Sequence, residues 1–212
     1  MAEWYWKWLA LGGGAVAWLL GSEGTVAKSV DELPDSLPGY DWVPSYWQQQ
    51  LPVFATLPDM IVLHSGDVGA NVAEYLANPL AEEGAVNAVL CSDGKYRRKV
   101  GAHFAWSLTR NRFVQQFSLR QEVPGAGSVP VLGKRVNGHA IQIELSGPYD
   151  QNPRSELERN LFQDWVSTLL RYVRSIHYWT RHSDIDAGKH DPGPGFSSDW
   201  LNTTGLTWVS RG

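Results

Sequence analysis

Residues 60–63 read Met-Ile-Val-Leu, four apolar positions in a row shortly after Pro58, and His64 closes the run. A strand with one wet face alternates apolar and polar residues. A strand that does not alternate has both faces covered, as in the inner strands of an α/β sheet with helices packed on it. In open sheets of this kind ligand sites gather beyond the carboxyl ends of the strands. His64, Ser65 and Gly66 fall at that place, so His64 is read here either as a site residue or as a buried polar residue of the core.

The rest of the chain supplies partners for such a strand. Residues 71–78 have a helical pattern that stops at Pro79. Residues 104–108 and 113–117 read as two strands joined by a polar turn at 109–112. Residues 139–145 alternate, with Ile141, Ile143 and Leu145 on one face and Ala140, Gln142 and Glu144 on the other. A carboxylate on the second face of a central strand is either half solvated or functional. Residues 155–175 form the clearest helix: Leu157, Leu161, Trp165, Leu169 and Tyr172 recur at spacings of three and four, and Val166, Leu170 and Val173 widen the stripe. Asn152-Pro153 with Ser155 gives its start signal. These elements predict an α/β fold, a central mixed β-sheet flanked by helices, with an N-terminal helical or extended appendage.

That appendage is read from residues 8–21, an uncharged apolar run with three consecutive glycines. As a helix it spans roughly 20 Å, short of the roughly 30 Å of a bilayer core. The readings open for it are a signal-peptide core with a small-residue site at Thr25-Val26-Ala27, a weakly hydrophobic membrane anchor, or a packing helix. Export or membrane attachment through 8–21 is the favoured expectation. Prolines 34, 38, 44, 52 and 58 then break the chain into a linker or wrapping arm. The expected division is an apolar segment and arm at 1–50 and a catalytic domain at 51–212. Five of the eleven tryptophans, at 4, 6, 8, 18 and 42, lie in the first 45 positions, and tryptophan favours surfaces that are half apolar and half wet.

A net charge of −4 leaves no electrostatic footprint for nucleic acid. The one dense basic cluster, Lys95-Tyr96-Arg97-Arg98-Lys99, reads as a solvated loop, within a stretch at 81–100 that has room for an extra hairpin or a substrate-facing loop. The single cysteine, Cys91, excludes an intrachain disulfide and has no histidine pattern beside it.

The chemistry concentrates in the tail, where residues 180–196 run Thr-Arg-His-Ser-Asp-Ile-Asp-Ala-Gly-Lys-His-Asp-Pro-Gly-Pro-Gly-Phe. The Pro/Gly-rich half is an irregular loop, and loops on rigid scaffolds carry function. A catalytic zinc site needs three N, O or S donors and an open fourth position. His64 with His182 and Asp191 supplies such a set, with His190 as a rival ligand on the same loop. Lys189 lies two residues before Asp191, so in an extended segment both side chains point the same way.

Four segments in order resemble the zinc-dependent amidase family that includes N-acetylmuramoyl-L-alanine amidases, amidase-type phage lysozymes and peptidoglycan recognition proteins. They are Ile61-Val62-Leu63-His64-Ser65, Gly101-Ala102-His103-Phe104, Asn137 through Glu144-Leu145-Ser146-Gly147, and His182-Ser183-Asp184-Ile185 through Lys189-His190-Asp191-Pro192-Gly193-Pro194. The resemblance implies zinc held by His64, His182 and Asp191, Glu144 as the carboxylate acting on water, and Lys189 as the cation near the developing oxyanion. It implies peptidoglycan as substrate, cut at the amide between N-acetylmuramic acid and L-alanine for cell-wall degradation or lysis. It makes His103 a supporting or packing residue, and it gives no role to His139 or His177, which read as structural. Ala102 stands where some relatives carry a tyrosine, a variant that goes with a glutamate on the central strand. Arg181 stands where glycine is usual, at the expected rim of the cleft. The implied location is exported, periplasmic or membrane-attached, or cytosolic before release for a phage lysis enzyme. The alternatives are a non-catalytic peptidoglycan-binding protein, a cytosolic enzyme trimming muropeptides, and a virion-associated subunit of the same fold.

Overall fold

The computed structural model describes residues 26–66, 72–127, 130–147 and 155–211. The apolar run at 8–21 and the Asn152-Pro153 signal lie outside the described residues. In chain order the strands are β1 (Asp41–Trp42), β2 (Met60–Ser65), β3 (Ala88–Leu90), β4 (Tyr96–Arg98), β5 (Phe104–Ser107), β6 (Arg112–Gln115), β7 (Pro130–Val131), β8 (Lys134–Arg135), β9 (Ala140–Leu145), β10 (Tyr178–Arg181) and β11 (Thr207–Trp208). The α-helices are α1 (Val72–Ala77), α2 (Glu156–Tyr172) and α3 (His182–Ile185).

The non-alternating run does become an inner strand. Every residue of β2 is buried, and the strand lies parallel to β9 on one side and β10 on the other. The sheet order is β1-β6-β5-β9-β2-β10-β11, and the antiparallel β5–β6 pair makes it mixed. The fold is α/β. One sheet face carries Ile61, Leu63, Ile141, Ile143 and Leu145 against Phe162, Trp165, Val166 and Leu169 of α2. Phe162 and Trp165 are fully buried, and each contributes on the order of 3 kcal/mol by leaving water. The opposite face is apolar at Met60, Val62 and Ala140, which meet Val131, Val136 and Ile185. Further along, the same face turns polar, and that is where the site lies.

Helix α2 starts where Ser155 accepts a hydrogen bond from the Glu158 amide at 3.1 Å. Buried Glu158 in turn accepts from the amide and hydroxyl of Ser146 at 2.7 and 2.6 Å, tying the helix start to the end of β9. The helix stops three residues before the expected end, because Val173 leaves helical geometry at φ −121°.

The Pro-bearing arm wraps the body. Leu33 and Leu37 are buried in the α2-side core, β1 adds a parallel edge strand to β6, and the Gln115 side chain bonds the Leu37 amide at 2.6 Å and the Asp35 carbonyl at 2.8 Å. The stretch at 81–100 contains a hairpin of β3 and β4. Its basic cluster is exposed at Lys95, Arg98 and Lys99, as composition suggested, and the exception is Arg97. Arg97 is 5% exposed, forks onto both oxygens of Asp93 at 2.8 Å, donates to Asn78 and covers the ring of Tyr46 at 3.9 Å. Paired and stacked in this way, the guanidinium anchors the hairpin to the body. Among the described residues no helix is long and apolar enough to cross a membrane.

Candidate functional site

The carboxyl ends of β2 and β10 deliver the two histidines. Register pairs Arg181 with Leu63, so the next residues, His182 and His64, emerge side by side. Arg181 does not reach into the cleft. Its guanidinium holds both oxygens of Asp184 at 2.8 and 2.7 Å, fixing the turn from β10 into α3 that carries His182. The loop after α3 folds back through Lys189 N–H to the Asp186 carbonyl at 3.0 Å and Ser183 N–H to the Asp191 carbonyl at 3.0 Å. Asp191 thereby comes to face the histidines, and its bond to Pro192 is cis.

Three ligand atoms converge. His64 Nδ1 lies 3.1 Å from His182 Nδ1, His182 Nδ1 lies 3.1 Å from Asp191 Oδ2, and His64 Nδ1 lies 3.5 Å from the same oxygen. The three residues are 2%, 6% and 9% exposed, and together they could hold a metal ion. Burial and the neighbouring His182 push the His64 imidazole toward its neutral form. Burial alone pushes the Asp191 carboxyl up, but the imidazoles of His182 and His64 outweigh it and hold the group well below the usual carboxylate range. The cluster is a carboxylate beside imidazole nitrogens at close quarters, a concentration of electron pairs that a cation relieves.

Around it opens a cavity of about 360 Å³, whose lining includes Arg98, Glu144 and Lys189 beside the three converging residues. Glu144 sits on β9 in register with His64 on β2, so both side chains rise from the same sheet face on adjacent strands. Lys189 and Asp191 both line the cavity. His190 also lines it but is not among the three that converge.

The other histidines are elsewhere. His103 is fully buried, donates from Nε2 to the Gln121 carbonyl at 2.9 Å and accepts from the Gln142 amide at 3.0 Å; burial pushes it down to about 3, so it stays neutral. His139 contacts Asp59 at the amino ends of the strands, and His177 is exposed.

Two residues of the site escaped sequence reading. Arg98 follows buried Arg97 on β4, so alternation turns it to the other face of the hairpin, and it lines the cavity. Its main chain is pinned by Trp47 Nε1–H to its carbonyl and by its amide to the Pro79 carbonyl, both 2.8 Å. Gln142 backs His64, accepting from its Nε2 at 3.0 Å. The available signal for Gln142 was its place two residues before Glu144 on one strand face.

No family model matches the sequence, and no curated protein matches it. Solved structures do. A selenomethionine derivative of AmpD aligns with a TM-score of 0.61 and 21% identity, covering 82% of this chain and 98% of that one. The endolysin N-acetylmuramoyl-L-alanine amidase LysCS from Clostridium intestinale URNW aligns with a TM-score of 0.51 and 16% identity, covering 81% and 99%. This chain shares their fold.

Proposed function

We propose that the chain is a zinc-dependent N-acetylmuramoyl-L-alanine amidase, hydrolysing the amide between the lactyl group of N-acetylmuramic acid and L-alanine in peptidoglycan for cell-wall degradation or lysis. The observation that carries this reading is the convergence of His64, His182 and Asp191 beside Glu144 and Lys189 in one cavity. Similarity of fold to a protein described as an endolysin amidase supports it.

The donor set fits zinc. With bonds of about 2.0–2.2 Å, ligand atoms of a four-coordinate zinc lie about 3.3–3.6 Å apart, close to the edges of 3.1, 3.1 and 3.5 Å found here. Two imidazole nitrogens and one carboxylate oxygen would hold such an ion, the three-donor set of a catalytic zinc site. A zinc ion held there supplies a Lewis acid for the scissile carbonyl and brings the pKa of a water toward ~7.

The chain's own groups do the rest in this reading. Glu144 takes a proton from the attacking water and returns it to the departing amine of L-alanine. The Lys189 ammonium donates to the oxygen of the scissile carbonyl as negative charge develops on it. Arg98, on the hairpin wall, pairs with a carboxylate of the stem peptide and holds the substrate in register. Residues 8–21 carry the chain out of the cell or to the membrane surface, and the body at 51–212 carries the chemistry.

The deciding experiment incubates purified protein with cell-wall sacculi and follows release of new amino-terminal alanine. Release that stops with a chelator and returns with added zinc is expected. Binding to sacculi without any release would instead make the chain a peptidoglycan-binding protein.

A further inference from the structure

Gln142 is fully buried and stands behind His64, on the side away from the converging ligand atoms. Its amide nitrogen donates to the Val123 carbonyl at 2.6 Å and to Asn137 Oδ1 at 3.1 Å. The first partner can only accept, and Asn137 Oδ1 is itself held in place by the Ala126 amide at 3.1 Å, so the Gln142 amide cannot turn over. Its oxygen Oε1 therefore faces His64 Nε2 at 3.0 Å. An amide oxygen only accepts, and a neutral imidazole has one N–H. The proton of His64 is drawn to Nε2, and Nδ1 presents its lone pair to His182 and Asp191.

The surroundings are shaped for this amide. A Cβ at Gly125 would lie 2.0 Å from Gln142 Oε1 and 2.6 Å from the Gly101 carbonyl oxygen, so no side chain fits where the amide oxygen reaches the imidazole. The Gln142 main-chain N–H is bonded to His103, which steadies the residue from its backbone as well.

We propose that Gln142 is a positioning residue that fixes the His64 ring and its Nε2–H tautomer, so that Nδ1 is preset as a metal ligand. Without an acceptor behind Nε2, the proton is free to sit on Nδ1 and bond Asp191 directly. That self-contained pair competes with the cation for both ligands. The consequence for metal affinity rests on the zinc reading above; the tautomer does not.

The test uses the full chain with Gln142→Met, which keeps the approximate volume and removes the amide. Histidine tautomers are read by nitrogen-15 NMR on metal-free protein at about pH 8, where imidazole is neutral. Zinc affinity is read by competition with a chromophoric chelator. The wild type should show His64 as the single Nε2–H form, and Gln142→Met should show a tautomer mixture and bind zinc about 10–100-fold more weakly, the usual cost of removing a group that supports a ligand. An unchanged tautomer and an unchanged affinity in Gln142→Met overturn the proposal. Should that variant not fold, Asn137 gives a second reading. Asn137→Leu removes one of the two acceptors that hold the Gln142 amide and should weaken zinc, whereas Asn137→Asp keeps that acceptor and should bind zinc more nearly as the wild type does; equal behaviour of the two overturns the proposal. A wild type that binds no zinc sinks the metal reading, while a mixed His64 tautomer in the wild type sinks this one, so the two failures are told apart.

Discussion

Histidine meets aspartate at both ends of the same parallel strands, but the groups around the two pairs differ. At the carboxyl ends, His64 and His182 converge on Asp191 under an open cavity. At the amino ends, just before β2 and β9, His139 Nδ1 contacts Asp59, whose other oxygen is taken by Lys134 at 2.6 Å. Asp59 also holds its neighbours through its main chain, accepting from His177 and Tyr178. Two oxygens each already held by a side chain leave nothing to offer a ligand. Three donors aimed at one point, with no lysine among them, leave a place for a cation. The pairing of residue types is the same; what differs is whether the charges are already answered within the protein.

Substitution at each end should separate these roles. His182→Ala removes one of three donors and should abolish zinc binding in elemental analysis, with hydrolysis falling to that of the chelated wild type. Asp59→Ala should keep zinc and activity but leave His139 and Lys134 unpaired, lowering unfolding free energy in urea by about 1–3 kcal/mol. Zinc loss in Asp59→Ala with none in His182→Ala would invert the comparison.

Glu144→Ala divides the site end itself into metal holding and proton transfer. Hydrolysis should drop by about 10²–10⁴-fold while zinc content stays at the wild-type level. A variant with normal turnover would remove Glu144 from the reaction.

Between the two ends lies His103, whose protonation bears on stability. Folded, it stays neutral down to about 3, against an ordinary 6.5. Between those values the unfolded chain binds the extra proton, so the contribution is full above about 6.5 and is lost as pH falls toward about 3. The slope is at most ~1.4 kcal/mol per pH unit for one proton. Metal-free His103→Gln, whose amide is able to donate to the Gln121 carbonyl and accept from the Gln142 amide, should show a shallower acid dependence of the urea midpoint. Identical slopes would mean that His103 does not titrate in this window.

The smallest effect is expected at the rim. Arg98→Ala should raise KM about tenfold, ~1.4 kcal/mol of binding, and leave kcat near wild type. A drop in kcat with KM unchanged would place Arg98 in the chemical step instead.

What the sequence disclosed follows how local each signal is. β2, β9 and α2 were legible because burial on two faces, alternation and helical spacing are written in consecutive residues. The edge strands β1 and β11 are two residues long and owe their form to partners far along the chain, so no local pattern announces them. The same holds at the site. His182, Lys189 and Asp191 lie within ten consecutive residues and His64 ends a recognisable strand, so they could be grouped. Gln142 could not, since its meaning depends on a histidine 78 positions away. Arg97 and Arg98 look alike in a basic run, and only the stack on Tyr46 and the alternation of β4 assign one to anchoring and the other to the cleft wall.

The pairing of His64 with Glu144 across β2 and β9 makes the hydrogen-bond ladder a caliper. Neighbouring strands stand about 4.8 Å apart whatever their sequence, so the separation between His64 and Glu144 is set by the sheet and is insulated from the loops. Rim loops can therefore diverge to fit different walls without retuning the centre. The caliper has one way to fail: a single-residue slip of β9 would bring Ile143 or Leu145 opposite His64 and turn Glu144 into the packed face. The apolar residues pressed against α2 are what forbid that slip.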